Sequence, residues 1–295
     1  MKNSLFIEQF KPDIEVDYET YDKLTKYNIT ECTHGFIKSH TYCGFPSKKE
    51  EIKTHKENYK EHLHGDCTKK YFTKANGEFK VPIYKTNEYG YRSDSWKNGE
   101  EGNIFLGCSD TFGLGQHWEF TWPFLLTKSL RTNSKIYNLA LPGGTIDSCY
   151  RVLKSHINNI KGEYVFMLTP EYTRSEFFDD RGDRHFINGS SLKRLKKQPE
   201  YQSIVNWYLD YKTHPIHLWV DYNRNLDAIE NLCYKAGKKF IHIYNPLYYE
   251  TFTPKHYGYD IDFAFDCLHR GVTFQKYISY YFSKKIKSPN LEYLI

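Results

Sequence analysis

The sequence lacks several features that would assign it at once to a common class of protein. It contains no run of about 18 apolar residues, so no membrane span is expected. Its first residues, MKNSLFIEQFKPDIEV, hold no apolar stretch of signal-peptide length, so we expect no such peptide. Cys-x-x-Cys pairs, a full Gly-x-Gly-x-x-Gly and Gly-Lys-Ser/Thr are also missing. A dithiol redox motif, a dinucleotide fingerprint and a phosphate-binding loop are therefore not predicted.

Strong charge of either sign is absent too. The 295 residues include 41 Lys and Arg against 36 Asp and Glu, a net charge of +5, and the charges are mostly interspersed. We interpret the short basic run at 193–197 as a solvated surface, so no nucleic-acid partner is expected. Seven cysteines, an odd number, indicate reduced thiols. The expected location is the cytoplasm or a virion, and no cofactor is predicted.

Composition nevertheless supports a folded core, since 39% of residues are hydrophobic and 18% aromatic. Residues 1–100 are polar and short of apolar runs, which predicts an N-terminal extension or small accessory layer, with the main domain at 101–295. The extension is expected to contain a helix over 54–64 and a hairpin at Asn76-Gly77. A His55, His62, His64 and Cys67 cluster offers zinc ligands, but its spacing matches no common structural site and a polar surface is favoured, so no metal is predicted.

From residue 103 onward, apolar strand patterns alternate with helical spacing. This alternation predicts an α/β fold with a parallel sheet covered on both faces. The predicted strands cover 104–107, 134–140, 164–168 and 240–244. The predicted helices cover 118–130, 145–160, 201–211, 226–236 and 272–286.

Small and polar residues follow the predicted strands, where ligands of an open parallel sheet bind. Ser109 follows the first strand in FLGCSDTFGLG, where a turn or helix cap is the alternative to a nucleophile. A serine hydroxyl needs a base to take its proton, and His269 is a candidate for that base. Asp266, three residues earlier, can orient His269. The backbone N–H groups of Ser109 and Gly143 are candidates to hold an oxyanion.

Four segments, in order, resemble those of the SGNH (GDSL-type) hydrolases. They are Thr86–Arg92, Gly107-Cys108-Ser109, the stretch from Asn138 to Gly143-Gly144, and Asp266-Cys-Leu-His269. The resemblance covers roughly residues 80–286. It implies a flavodoxin-like three-layer α/β/α sandwich with a central parallel sheet, joined to the N-terminal extension. It also implies a catalytic triad of Ser109, Asp266 and His269, an oxyanion hole at Ser109 and Gly143, and an auxiliary role for Asn138.

Two positions depart from the family pattern. Cys108 replaces the usual Asp of the first block, and an inert buried thiol is favoured there over a nucleophile. The third block is missing, and Glu171 falls where the family's Asn donates to the oxyanion. An ionised carboxylate cannot donate a hydrogen bond. Either another donor such as Arg174 replaces it, or the hole has two donors only.

The resemblance implies a serine hydrolase that cleaves carboxylic esters through an acyl-enzyme. The expected substrate is a small molecule or a glycan ester, such as an O-acetylated carbohydrate, by analogy alone. One alternative is a catalytically degraded structural or glycan-binding component of a larger, virion-like assembly, and another is an O-acyltransferase. The oligomeric state stays open.

Two further segments have alternative interpretations. The tripeptide at 181–183 is interpreted as an exposed loop rather than an adhesion motif. Five aromatic residues late in the chain are suited to a sugar cleft, although packing is the commoner use of such side chains. They are Trp207, Tyr208, Tyr211, Trp219 and Tyr222.

Overall fold

The computed structural model describes residues 31–33, 82–87, 89–130, 134–178, 184–244, 264 and 269–287. Several predicted features lie outside these ranges: the helix over 54–64, the hairpin at Asn76-Gly77, the histidine cluster, the loop at 181–183, and Asp266.

Eight strands form three sheets in the described part of the chain. β1 (Glu31–Thr33) pairs antiparallel with β2 (Ile83–Lys85). The central sheet is parallel and consists of β3 (Gly102–Leu106), β4 (Lys135–Asn138), β5 (Tyr164–Leu168) and β8 (Lys239–Ile243), in the order β4-β3-β5-β8. β6 (Ser175–Phe178) and β7 (Arg184–Ile187) form an antiparallel hairpin between β5 and β8 in the chain.

The helices connect these strands. They are α1 (Ser109–Phe112), α2 (Trp122–Ser129), α3 (Ile146–His156), α4 (Gly189–Leu195), α5 (Gln202–Trp207), α6 (Pro215–Lys235) and α7 (Val272–Lys287). Two 3₁₀ turns, Trp118–Phe120 and Pro199–Tyr201, and one π-helical turn, Tyr208–Lys212, occur between them. No helix in these described ranges is long and apolar enough to cross a membrane.

The core is divided by the central sheet into two layers, because alternate residues of each strand face opposite sides. On one side Ile104 and Leu106 of β3 pack with α3 and α6. On the other side Phe105 packs with α2 and α7, including Trp122 and Phe282. Helices therefore cover both faces of a parallel sheet, and the prediction of a three-layer α/β/α fold is confirmed.

The predicted strands of the central sheet agree with the observed strands to within about two residues at most boundaries, a normal margin for such assignments. α6 differs more, since it begins at Pro215 rather than Leu226. The hairpin β6–β7 and helix α4 were not predicted. α4 begins at a reciprocal cap in which Ser191 N donates to Asn188 Oδ1 and Asn188 N donates to Ser191 Oγ.

The part of the predicted extension that precedes β3 and that the structure describes packs against the main domain. Tyr91 and Trp96 are buried with residues of β3 and α3 in one core layer. Tyr84 is buried with Phe112 of α1 and Leu114. Tyr84, Tyr91 and Trp96 therefore contribute to the core, while the domain boundary at residue 100 stays a prediction.

Candidate active site

Ser109 is the first residue of helix α1, three residues beyond the end of the central strand β3. Its side chain is largely buried, with 7% of the residue exposed. The hydroxyl lies 4.0 Å from Cys108 Sγ. A strand that turns at once into a helix brings the serine to the carboxyl edge of the sheet, where ligands of parallel sheets bind.

Gly107 makes this sharp turn possible. Its φ is 151°, and a Cβ there would lie 2.1 Å from Thr111 Oγ1 and 2.8 Å from Leu168 O. The carbonyl oxygen of Gly107 accepts hydrogen bonds from Leu141 N, at 3.4 Å, and from Cys149 Sγ, at 3.9 Å. The segment before Ser109 is therefore packed between the end of β5 and the loop that follows β4.

Gly143 lies in that loop and has a left-handed backbone, with φ at 68°. A Cβ at this position would lie 2.8 Å from Cζ of Phe186, which belongs to the hairpin strand β7. A side chain would thus collide with the ring as well as strain the backbone. Gly144 is next to it, and a Cβ there would lie 3.1 Å from Gly107 O. The structure thus brings the Gly143-Gly144 loop against the segment of Ser109.

Asn138 lies at the end of β4 and is fully buried. Its Nδ2 donates to Thr111 O at 2.8 Å, and its Oδ1 accepts from Ala140 N at 3.1 Å. The first bond fastens helix α1 to the neighbouring strand β4, and the second is local to the turn after that strand. The side chain therefore holds the serine helix in position, and its donor is directed at the protein backbone.

Cys108 is almost completely buried between Gly107 and the serine. Burial raises the pKa of its thiol, although the positive charge of Arg174 acts in the opposite direction. A protonated buried thiol is a poor nucleophile. The geometry therefore favours the inert-residue interpretation of Cys108 and leaves Ser109 as the candidate at this turn.

Glu171 and Arg174 form a salt bridge in the turn after β5, with Arg174 Nε 3.2 Å from Glu171 Oε2. The other carboxylate oxygen accepts from Thr173 Oγ1 at 2.8 Å. Tyr208 supports the same turn by donating from its hydroxyl to Thr173 O at 2.7 Å. The charge of Glu171 is thus offset within the turn, and the Arg174 guanidinium lies close enough to Cys108 to affect its thiol.

Two buried glutamines connect helix α1 and the loop after it to the chain segment of His269. Gln116 Nε2 donates to Arg270 O at 2.9 Å. Gln275, on α7, donates through Nε2 to Asp110 O at 3.2 Å and accepts from Trp122 N at 2.8 Å. His269 is partly buried at the start of this segment, and its carbonyl accepts from Ala264 N. The segments of Ser109 and His269 are therefore held side by side.

Arg92 holds the loop that follows α1. The buried guanidinium donates from NH1 to Phe112 O at 3.0 Å and Gly113 O at 2.7 Å, and from NH2 to Gln116 O at 2.9 Å. It also lies 4.6 Å from the ring centroid of Tyr84. Arg92, Gln116 and Gln275 were not selected as site residues from the sequence, although Arg92 ends the segment that resembles the family's upstream motif.

The structure thus brings Ser109 and the Gly143-Gly144 loop to the same edge of the sheet. The Glu171–Arg174 turn follows the neighbouring strand β5 at this edge, and Asn138 bonds to the helix of Ser109. Asp266 lies outside the described residues, so its contact with His269 stays a prediction. Within the described ranges, no group of three or more His, Cys, Asp or Glu residues is arranged to hold a metal ion.

Several solved structures resemble this chain in fold. A protein of the G-D-S-L family from Desulfitobacterium hafniense is 12% identical over 63% of this chain and 98% of that chain, with a TM-score of 0.32. An acetylxylan esterase from Geobacillus stearothermophilus is 12% identical over 64% of this chain and 94% of that chain, with a TM-score of 0.32. A family 3 carbohydrate esterase from Clostridium thermocellum is 16% identical over 64% and 96%, with a TM-score of 0.31.

No model of a protein family matches the sequence, and no curated protein matches it.

Proposed function

We propose that this protein is a carboxylic ester hydrolase that works through an acyl-enzyme on Ser109. In this mechanism the Ser109 hydroxyl attacks the ester carbonyl while His269 takes its proton, and Asp266 orients His269. His269 then returns the proton to the leaving alcohol. Water, activated by the same histidine, hydrolyses the acyl-enzyme and regenerates the serine.

The observation that supports this proposal most is the position of Ser109. It is the first helical residue after the central strand, and it lies two residues after Gly107, where a side chain would not fit. Its own N–H therefore starts a helix, where backbone N–H groups are not used by helical hydrogen bonds. That N–H and the nearby N–H of Gly143 are the proposed donors to the oxyanion.

The Glu171–Arg174 salt bridge bears on whether the site is active. An unpaired carboxylate beside an oxyanion would repel it and would favour a degraded site. Both oxygens of Glu171 are engaged, one by Arg174 and the other by Thr173. This pairing reduces the repulsion and supports a working site over a purely structural protein.

Turnover of p-nitrophenyl acetate by wild type and Ser109→Ala tests the proposal. We expect the substitution to lower kcat by about a thousandfold or more, because the nucleophile is lost. Ser283→Ala is the matched control, since that hydroxyl donates to Tyr280 O within α7, and it should keep wild-type activity.

Background rates for both wild type and Ser109→Ala would contradict hydrolysis of this substrate and favour the structural or glycan-binding alternative. Product analysis with an added acceptor alcohol separates hydrolysis from acyl transfer. Free acetate as the main product supports the hydrolase, whereas an acylated acceptor supports a transferase.

A further inference from the structure

A cavity of about 550 Å³ opens at the carboxyl edge of the sheet, beyond β5 and β8. Thr169, the first residue after β5, and Tyr244, the first after β8, both line it. Leu168, next to Thr169, brings its carbonyl within 2.8 Å of where a Cβ of Gly107 would lie. The cavity is therefore next to the segment that carries Ser109, and its volume is in the range of small-ligand sites.

One face of the first turns of α6 forms a wall of this cavity. Pro215, Trp219 and Asn223 are spaced four residues apart, so they lie on one side of the helix. Trp219 is 69% exposed, a large fraction for an indole. Asn223 Nδ2 donates to the backbone carbonyl of Trp219 at 2.7 Å, which holds the amide against its own helix. This helix therefore presents a flat aromatic ring and an amide to the same space.

Three tyrosines contribute further aromatic surface. Tyr222 follows Trp219 by three residues and stacks on Tyr244, with ring centroids 6.0 Å apart. Tyr172 lies on the turn after β5 and is 44% exposed. Aromatic rings of this kind offer an apolar face together with a polar edge. The pyranose ring of a sugar has matching properties, since its C–H groups form an apolar face and its hydroxyls form the rim.

The threonine hydroxyls of the cavity are acceptors. Thr169 Oγ1 donates its proton to Ile243 O, Thr173 Oγ1 to Glu171 Oε1, and Thr213 Oγ1 to Leu209 O. A hydroxyl whose one proton is already donated in a hydrogen bond can still accept hydrogen bonds. A ligand that suits these oxygens must bring donors, as sugar hydroxyls do. A carboxylate brings acceptors only and a hydrocarbon chain brings neither donors nor acceptors, so neither suits these oxygens as a sugar hydroxyl does.

The charge of the residues that line the cavity also favours a sugar. Among the described residues that line the cavity, none is acidic, basic or histidine. A charged ligand would lose its hydration there without gaining an opposite charge. We infer that this cavity binds a neutral carbohydrate chain, with Trp219 as the main stacking surface. Binding of the carbohydrate does not depend on the proposed ester hydrolysis. The assignment of this sugar as the alcohol part of the ester that Ser109 attacks does rest on that proposed function.

Calorimetric titration of the full chain carrying Ser109→Ala tests the inference without turnover. The probes are xylotetraose, cellotetraose and N-acetylchitotetraose, with decanoate and inorganic phosphate as ligands of other chemistry. We expect at least one oligosaccharide to bind. Adding Trp219→Ala should weaken that binding by about tenfold or more, because the ring contact is lost.

Trp207→Ala is the matched control, because that indole is 45% exposed but does not line the cavity. It should leave the affinity for the oligosaccharide unchanged. Binding of decanoate or phosphate in place of the sugars, binding of no probe, or an equal affinity with and without Trp219 would overturn the inference. Since the assay involves no chemistry, its result is independent of ester hydrolysis. An active esterase that binds no sugar contradicts this inference alone, and an inactive protein that binds sugar contradicts the proposed function alone.

Discussion

Replacing Arg92 by methionine is expected to destabilise the protein strongly. Methionine keeps the unbranched shape of the side chain but removes the guanidinium. Three carbonyls, those of Phe112, Gly113 and Gln116, then lose their donor in a buried place. These carbonyls belong to the end of the helix that begins with Ser109 and to the loop after it, so the loss loosens the candidate site as well.

The size of the effect follows from two opposing contributions. Each hydrogen bond from a charged group contributes about 1.5–3 kcal/mol, which would sum to roughly 5–9 kcal/mol if the three were independent. Methionine avoids the cost of burying a charge, which offsets part of that sum. We therefore expect a loss of about 3–5 kcal/mol in the free energy of unfolding and a fall in Tm on the order of 10 °C.

Differential scanning calorimetry on Arg92→Met, Arg92→Lys and Arg224→Met measures this loss. Arg92→Lys should recover little, since an ammonium group lacks the planar fork that reaches three carbonyls. Arg224 is the control because it is 67% exposed and pairs with Asp221 at the surface, where such pairs contribute at most about 1 kcal/mol. If the Tm of Arg92→Met lies within about 2 °C of that of Arg224→Met, the reasoning about the buried carbonyls is wrong.

Three other predictions follow from single residues. Gly143→Ala should lower both Tm and esterase activity more than Gly237→Ala. Both glycines have left-handed backbones, but a Cβ at Gly143 would meet the ring of Phe186, whereas a Cβ at Gly237 would meet open space. Thermal melts and p-nitrophenyl acetate rates compare the two, and equal effects would contradict the contact. Burial lowers the pKa of His242 to about 4, whereas the unfolded value is near 6.5. The neutral ring therefore stabilises the fold above about pH 6.5, and this contribution is lost as the pH falls toward 4. Urea unfolding across this range should show a smaller fall in His242→Gln than in wild type, and an unchanged profile would argue against a neutral, partly buried ring. Gln116→Leu should lower kcat by about tenfold or more with little change in KM, because the link to the histidine segment is cut. Steady-state kinetics measures this, and a wild-type kcat would mean that the link has no positioning role.

The central sheet could be predicted because its inner strands are buried on both faces and therefore appear as continuous apolar runs. Ile104–Leu106 and Tyr164–Leu168 are such runs. The first half of α6 could not be predicted by the same reasoning. Its buried residues Leu218 and Tyr222 continue the stripe of Leu226. The exposed apolar residues Ile216, Trp219 and Val220 lie between them and obscure that spacing in the sequence.

Some residues of the candidate site could likewise be predicted from the sequence, and others could not. Ser109 and Gly143 were selected because small residues after parallel strands meet at one edge of the sheet. Arg92, Gln116 and Gln275 were not, because they bond mainly to backbone groups, which are the same at every residue and leave no pattern in a sequence. Only the fold shows which carbonyl is within their reach.

The activation of Ser109 as a nucleophile is measured most directly by labelling the intact protein with a fluorophosphonate, followed by peptide mass spectrometry. This reagent forms a covalent bond with a serine only when a nearby base activates the hydroxyl. We expect a single labelled site at Ser109 in wild type and a marked slowing of labelling in His269→Gln. An unlabelled Ser109, or labelling at the same rate in His269→Gln, would contradict that activation.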